Sequence, residues 1–210
     1  MSNPADQIIA NYERHASSWD TDRRAAGWND KCWIDRFIGL LPTNATVLDL
    51  GCGGGLPVAV SMFAHRLQVT GVDTSPTLIS LCRSRMPDQE WIVADMRSLA
   101  LGRQFDGILA WDSFFHLRPD DQRAMFQVFA AHATSDSILC SMPAWLMARL
   151  SGHTEAGRFI TQASMQASMR DCYRRSDSRS WSIRSMILKK GGRIVWIARE
   201  AFGGASVQLR

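Results

Sequence analysis

Apolar residues recur at helical spacing twice within the first forty positions. Ile8, Ile9, Tyr12, Ala16 and Trp19 form one stripe, and Trp33, Ile34, Phe37, Ile38 and Leu41 form a second that Pro42 stops, so the pattern predicts two helices. From Thr46 the rhythm changes. Residues 46–50 are a short β-branched and apolar run ending in glycines, which suits a strand buried on both faces. Further strands are expected at residues 68–72, 90–94, 105–111 and 137–142. Helices fall between them. One begins near Leu56 with Pro57 in its first turn. A second is capped by Ser75 with Pro76 at the first helical position, and a third is opened by Pro119, Asp120 and Asp121, where the dipole favours acids. Strand alternating with helix calls for a parallel sheet with right-handed crossovers. Such a sheet takes its ligand at the carboxyl ends of the strands.

The expected fold class is therefore α/β, a doubly wound, mostly parallel sheet with helices on both faces and a helical arm in front. At 210 residues there is room for one domain. It divides into an arm over residues 1–42, a core over 43–142, an atypical stretch over 143–188 and a terminal strand and tail over 189–210. Residues 192–199 recover a clear strand, but the stretch before it has Ser-Arg-Ser clusters and no periodic apolar face, and reads as irregular or disordered.

Composition narrows the classes. Hydrophobic residues at 46% and charged residues at 21% are the balance of a globular chain. No apolar run approaches the roughly 18 to 20 residues of a membrane helix, and the N-terminus lacks a basic stretch followed by an apolar one, so a cytoplasmic protein without membrane contact is expected. The formal charge of +4 is local: residues 141–188 hold seven arginines against Glu155, Asp171 and Asp177, and the rest of the chain balances. Nucleic acid is disfavoured as a partner, because that segment does not interleave its charge with a folded aromatic face. Five scattered cysteines support neither a disulfide framework nor a metal site.

The strongest chemical signal is Asp49-Leu50-Gly51-Cys52-Gly53-Gly54-Gly55, an acid and three alternate glycines directly after a strand. Glycine is needed where the backbone turns tightly and approaches a ligand, and the following helix offers unpaired N–H groups. A dinucleotide loop would need GxGxxG, and neither Gly51 nor Gly53 has glycine at the third position of that spacing. The stretch resembles the first motif of the class I S-adenosylmethionine-dependent methyltransferases, residue for residue at Asp49, Gly51, Gly53 and Gly55. That resemblance implies a Rossmann-like fold, S-adenosyl-L-methionine as cofactor, and a loop including Cys52 that wraps its methionine part, with Asp49 engaging the amino group. A Gly-rich turn without a ligand is the alternative.

The likeness extends along the chain. It implies that Asp73, followed by Thr74 and 22 residues after Gly51, takes the ribose hydroxyls. Asp95 and Met96 would meet the adenine. As plain structure, these acids are also ordinary turn or cap residues. After the fourth strand, Ala110-Trp111-Asp112-Ser113-Phe114-Phe115-His116 occupies the position that faces sulfonium and acceptor in that family. Trp111, Asp112, Phe115 and His116 are the acceptor-side candidates, with Trp111 also a cofactor contact and Asp112 and His116 the catalytic candidates. A histidine there can take a proton from a nucleophile, or it can simply be packed. The N-terminal arm resembles the lid of small-molecule methyltransferases, with Tyr12 and Trp19 as cofactor contacts; two helices that merely cover the sheet are the other reading.

The likeness runs over residues 8–142 and resumes at 190–199. Between them the chain is either a divergent insertion or a stretch read in a shifted frame through compensating slips near Cys140 and Leu188. The expected function is methyl transfer to a small-molecule acceptor by in-line displacement. The alternative is a catalytically impaired S-adenosylmethionine-binding protein. A macromolecular acceptor is disfavoured, since Trp111-Asp112-Ser113-Phe114 replaces the Asn/Asp-Pro-Pro-aromatic motif of amino-methylating DNA enzymes, and the chain has only four glutamates.

Overall fold

Alternation sorts the core. In the central strand β1 (Thr46–Leu50), Val47 points to one face of the sheet and Leu48 and Leu50 to the other, and all three are fully buried. The computed structural model describes residues 4–141, 188–190 and 193–199. The readings that concern 143–187, their irregularity and the shifted frame, lie outside the described residues. Around β1 run α4 (Val58–Ala64), β2 (Gln68–Asp73), α5 (Pro76–Arg85), β3 (Glu90–Val93), β4 (Phe105–Ala110), α6 (Pro119–His132), β5 (Ala133–Ser141), β6 (Leu188–Lys190) and β7 (Arg193–Arg199). They are preceded by α1 (Pro4–Arg14), α2 (Ala16–Ala25) and α3 (Lys31–Gly39).

The sheet has seven strands in the order β3-β2-β1-β4-β5-β7-β6. The first five are parallel, and β7 runs antiparallel to both β5 and β6. Trp33, Ile34 and Phe37 of α3, Met62 of α4 and Ile79 of α5 cover one face, and Met125, Phe126 and Phe129 of α6 cover the other. The doubly wound α/β expectation therefore holds. The strand order reverses at β1, whose neighbours are β2 and β4, and a ligand crevice opens beyond the carboxyl ends at such a reversal. No helix among the described residues is long and apolar enough to cross a membrane.

Two elements differ from the sequence pattern. The first predicted helix is two helices, α1 and α2, bent at His15 (φ −109°, ψ 13°), yet the hydrogen bonds from His15 N–H to Asn11 O and from Trp19 N–H to His15 O carry the stripe through the bend. Periodicity follows the stripe and does not register a bend that keeps it. β5 begins four residues before the expected start because of a bulge: β4 pairing jumps from Phe105↔Ala133 to Gly107↔Ile138. Ser137 Oγ fills the gap, donating to Phe105 O and accepting from Thr134 N–H at 2.6 Å.

Candidate functional site

The loop after β1 turns on three glycines with positive φ, 78° at Gly51, 57° at Gly53 and 79° at Gly55. It opens a cleft at the carboxyl ends of β1, β2 and β4. The empty volume of that cleft, including the solvent at its mouth, is ≈ 990 Å³. Its walls bring together almost every residue singled out from the sequence: Asp49, Gly51, Cys52 and Gly53 from the loop, Asp73 and Thr74 from β2, and Asp95 and Met96 after β3. Trp111, Asp112 and His116 line it after β4, and Tyr12 and Trp19 from the arm. Gly55 does not line it. A Cβ there would meet Met86 Cε at 2.6 Å and Cys82 Sγ at 3.3 Å, so the structure places Gly55 as a packing glycine beneath the loop.

Two carboxylates dominate the floor. Asp49 is only 2% exposed, and burial, then the nearby Asp73 charge, pushes its carboxyl up to about 7. Asp73 is raised too, by burial, although the N–H groups of Gly53 and Ser75 donate to its two oxygens at 2.9 Å each and pull the other way. No cation of the described chain is set against either of them. Asp95 is handled differently. Burial pushes it up, but Arg97 outweighs that with its backbone N–H and a guanidinium laid on both oxygens at 2.9–3.0 Å, leaving it below the usual carboxylate range.

The arm lies over this floor and is tied to it at three places. Glu13 accepts hydrogen bonds at the start of α5, from Ser75 Oγ and from Thr77 Oγ1 at 2.6 Å. Asp20, 4% exposed, takes both Nη atoms of Arg85 at 2.6 Å, and the same guanidinium donates to Gly54 O at 2.7 Å. The Tyr12 hydroxyl meets Nε2 of His116 at 2.9 Å, with the Trp19 ring edge-on to Tyr12 at 5.9 Å.

The acceptor side follows β4. Trp111 is buried and donates its indole N–H to Asp30 Oδ2 at 2.8 Å. Asp112 sits in the left-handed region at φ 51°, a strained backbone for a non-glycine residue. Its carboxylate faces Arg23 at 3.4 Å. Burial holds the His116 imidazole below its usual value, with Asp112 opposing, so the ring is neutral near pH 7.

Arg23, Glu13, Asp20 and Arg85 were not foreseen. Arg23 lines the cleft and follows Trp19 by one helical turn, a signal present in the arm's own spacing. The Asp20–Arg85 pair spans 65 positions of chain, and nothing local announces it. Of the arm's other aromatics, Trp33 belongs to the core and Trp28 packs against it. Among the described residues no cluster of three or more His, Cys, Asp or Glu is placed to hold a metal.

Residues 47–136 match the methyltransferase domain family. Over 84 residues the chain is 38% identical to magnesium-protoporphyrin O-methyltransferase of Rhodobacter capsulatus, covering 38% of this chain and 37% of that protein. Over 106 residues it is 28% identical to trans-aconitate 2-methyltransferase of Variovorax paradoxus, covering 49% and 40%. The chain thus spans less than half the length of either curated relative. Among solved structures, the N-methyltransferase NodS of Bradyrhizobium japonicum in complex with S-adenosyl-L-homocysteine superposes with a TM-score of 0.68 at 15% identity, covering 95% of this chain and 99% of that one. That likeness is one of fold.

Proposed function

We propose that this protein, whose residues 47–136 match the methyltransferase domain family, transfers a methyl group from S-adenosylmethionine to a small-molecule nucleophile by in-line displacement. The observation that carries the reading is the pair Asp49 and Asp73, two buried carboxylates raised by burial at the rim of a glycine loop, with no cation of the described chain beside them. Such a floor fits a ligand that brings its own positive charge and a ribose, and repels a pyrophosphate.

When bound, the cofactor supplies an activated methyl group on a sulfonium. The chain's own part is alignment. Asp49 holds the ammonium, Asp73 the ribose hydroxyls, and Asp95 with Met96 the adenine. Gly51, Cys52 and Gly53 give backbone contact along the methionine part. Tyr12 and Trp19 close the cleft from above and exclude water, and Trp111 presents an aromatic wall to the transfer position. His116, neutral and lining the cleft, takes the acceptor's proton, and Asp112 orients the acceptor. Arm and core act as one domain.

Titration calorimetry with S-adenosylmethionine and S-adenosylhomocysteine, with NAD as control, tests the cofactor. Saturable binding of the first two and none of NAD is expected; the reverse order overturns the reading. Radiolabelled methyl transfer across a panel of small hydroxy, amino, thiol and carboxylic acceptors then tests turnover.

A further inference from the structure

Cys52 and Cys82 flank a single carbonyl. Cys82, fully buried on α5, donates to Gly53 O with its sulfur at 3.1 Å, and Cys52 Sγ stands 3.7 Å from the same oxygen. The two sulfurs thus face the same point of the loop. Cys52 is half-buried and lines the cleft, whereas Cys82 lies behind it. The far side of Cys52 is closed: a Cβ on Gly71 of β2 would come within 2.9 Å of its sulfur. A small reagent therefore reaches this pair from the cofactor cleft, through Cys52.

The geometry points to Cys52 and Cys82 as an oxidation site, a thiol pair that a peroxide entering the cleft closes to a disulfide. The Cys52 thiolate attacks one peroxide oxygen, forming a sulfenic acid and releasing water. The Cys82 sulfur then attacks the Cys52 sulfur, and the departing hydroxide leaves as water with the Cys82 proton. Two thiols and one peroxide give one disulfide and two waters. Burial, the Cys82 thiol, Asp49 and Asp73 all push the Cys52 thiol up, so Cys52 rests protonated and oxidises faster as pH rises. Arg85, on the helix that carries Cys82, is the nearby cation.

Closure has a structural consequence. It removes both S–H donors from Gly53 O and draws the loop toward α5, and Gly53 is the residue whose N–H holds Asp73 in place at 2.9 Å. Cofactor affinity is therefore expected to fall about 10- to 100-fold, the loss of a hydrogen bond to a charged group. This consequence rests on the function proposed above, whereas the formation of the disulfide does not.

The test uses the full chain, reduced, then treated with hydrogen peroxide at pH 7 and 8.5, blocked with N-ethylmaleimide and digested without reductant. The expected result is a peptide joining Cys52 to Cys82, formed faster at the higher pH, more slowly with S-adenosylhomocysteine present, and lost on adding dithiothreitol. Calorimetry on the oxidised chain should show the affinity loss, reversed by dithiothreitol and absent in Cys82→Ser. Cys32→Ser, which removes an exposed thiol, should behave like the parent. Absence of the joined peptide, or its replacement by one through Cys32, overturns the proposal. A joined peptide with undiminished affinity overturns the consequence. A joined peptide in a chain that binds no S-adenosylhomocysteine even when reduced supports the oxidation site and overturns the proposed function.

Discussion

The Tyr12 hydroxyl lies 2.9 Å from Nε2 of His116 and so joins the arm to the turn after β4 across 104 positions of chain. Burial, and after it the Asp112 and Asp73 charges, holds the phenol above its usual value, while burial holds the imidazole below its own. Both are therefore neutral near pH 7, and His116 stays available as a base to lower pH than a free imidazole would. Methyl transfer should be flat at neutral pH and fall as pH drops through a point below 6.5. His116→Asn should lower the rate about 10²- to 10⁴-fold and abolish that acid limb. The depressed value also has a stability cost: below the usual imidazole range the unfolded chain binds the proton more readily, so stability is lost as pH falls through that window. Urea titrations at pH 7 and 5 should show a smaller acid loss in His116→Asn than in the parent, and an equal loss would remove the imidazole from the account.

Asp49 predicts a trade between stability and binding. A carboxyl raised to about 7 in the fold is still protonated at pH 5, where its unfolded counterpart is already ionised, and is charged, buried and unpaired at pH 8. Stability that is present below the unfolded carboxylate value is thus lost as pH rises through about 7. Asp49→Asn keeps the shape and removes the charge. The advantage of the unliganded variant over the parent should be about 2 kcal/mol larger at pH 8 than at pH 5, by urea titration. Its affinity for S-adenosylmethionine should be about tenfold lower at pH 8, and the parent's affinity should climb between pH 6 and 8. A variant that gains stability and keeps its affinity would show that Asp49 does not meet the ligand.

How much of this was legible depends on the range of the interaction. β1 was readable to the residue because its β-branched and apolar run is a local property, and the Asp49–Gly55 spacing fixed the loop for the same reason. Asp73 and Asp95, singled out through the resemblance, both line the cleft because strands of a parallel sheet deliver their ends to one edge. The arm was harder. Its stripe showed which face was buried, but Glu13 docking on Ser75 and Thr77, and Asp20 meeting Arg85, join segments more than sixty positions apart, and each of these residues is an ordinary polar residue within its own helix. Gly55 differs in the opposite sense: it shares its spacing with Gly51 and Gly53, and only the packing of Met86 and Cys82 beneath it sets it apart from the two that line the cleft.

The Asp20–Arg85 contact should be a structural clasp of the N-terminal arm. Hydrogen bonds from Arg85, and the field of that guanidinium, hold Asp20 below the usual carboxylate range against the effect of burial. Arg85→Gln gives up the paired contact and shortens the reach to Gly54 O, and should cost about 2 kcal/mol at pH 7 by urea denaturation. Because a lowered carboxyl contributes stability above its unfolded value and loses it as pH falls through its folded one, the gap between variant and parent should narrow below pH 4. The arm should also become a better protease substrate in the variant, read by limited proteolysis. Unchanged cleavage in the arm would mean that Glu13 and Tyr12 hold it in place without that contact.

Gly53 and Gly55 separate the ligand-facing part of the loop from its foundation. Both have positive φ, so alanine at either position pays the left-handed penalty of about 1–2 kcal/mol. The collisions then differ. A Cβ on Gly53 would stand 2.8 Å from Cη2 of Trp19, an aromatic ring that forms part of the cleft wall and cannot yield without opening it. A Cβ on Gly55 meets Met86 Cε, the flexible end of a side chain that can swing aside behind the loop. Gly53→Ala should therefore lose both stability and affinity for S-adenosylhomocysteine, with a change in tryptophan fluorescence, whereas Gly55→Ala should lose stability and keep its affinity per folded molecule. Urea titration and calorimetry on the two variants make the comparison. Equal losses of affinity would mean that the third glycine of the motif shapes the ligand contact after all, through the course of the backbone and not through direct touch.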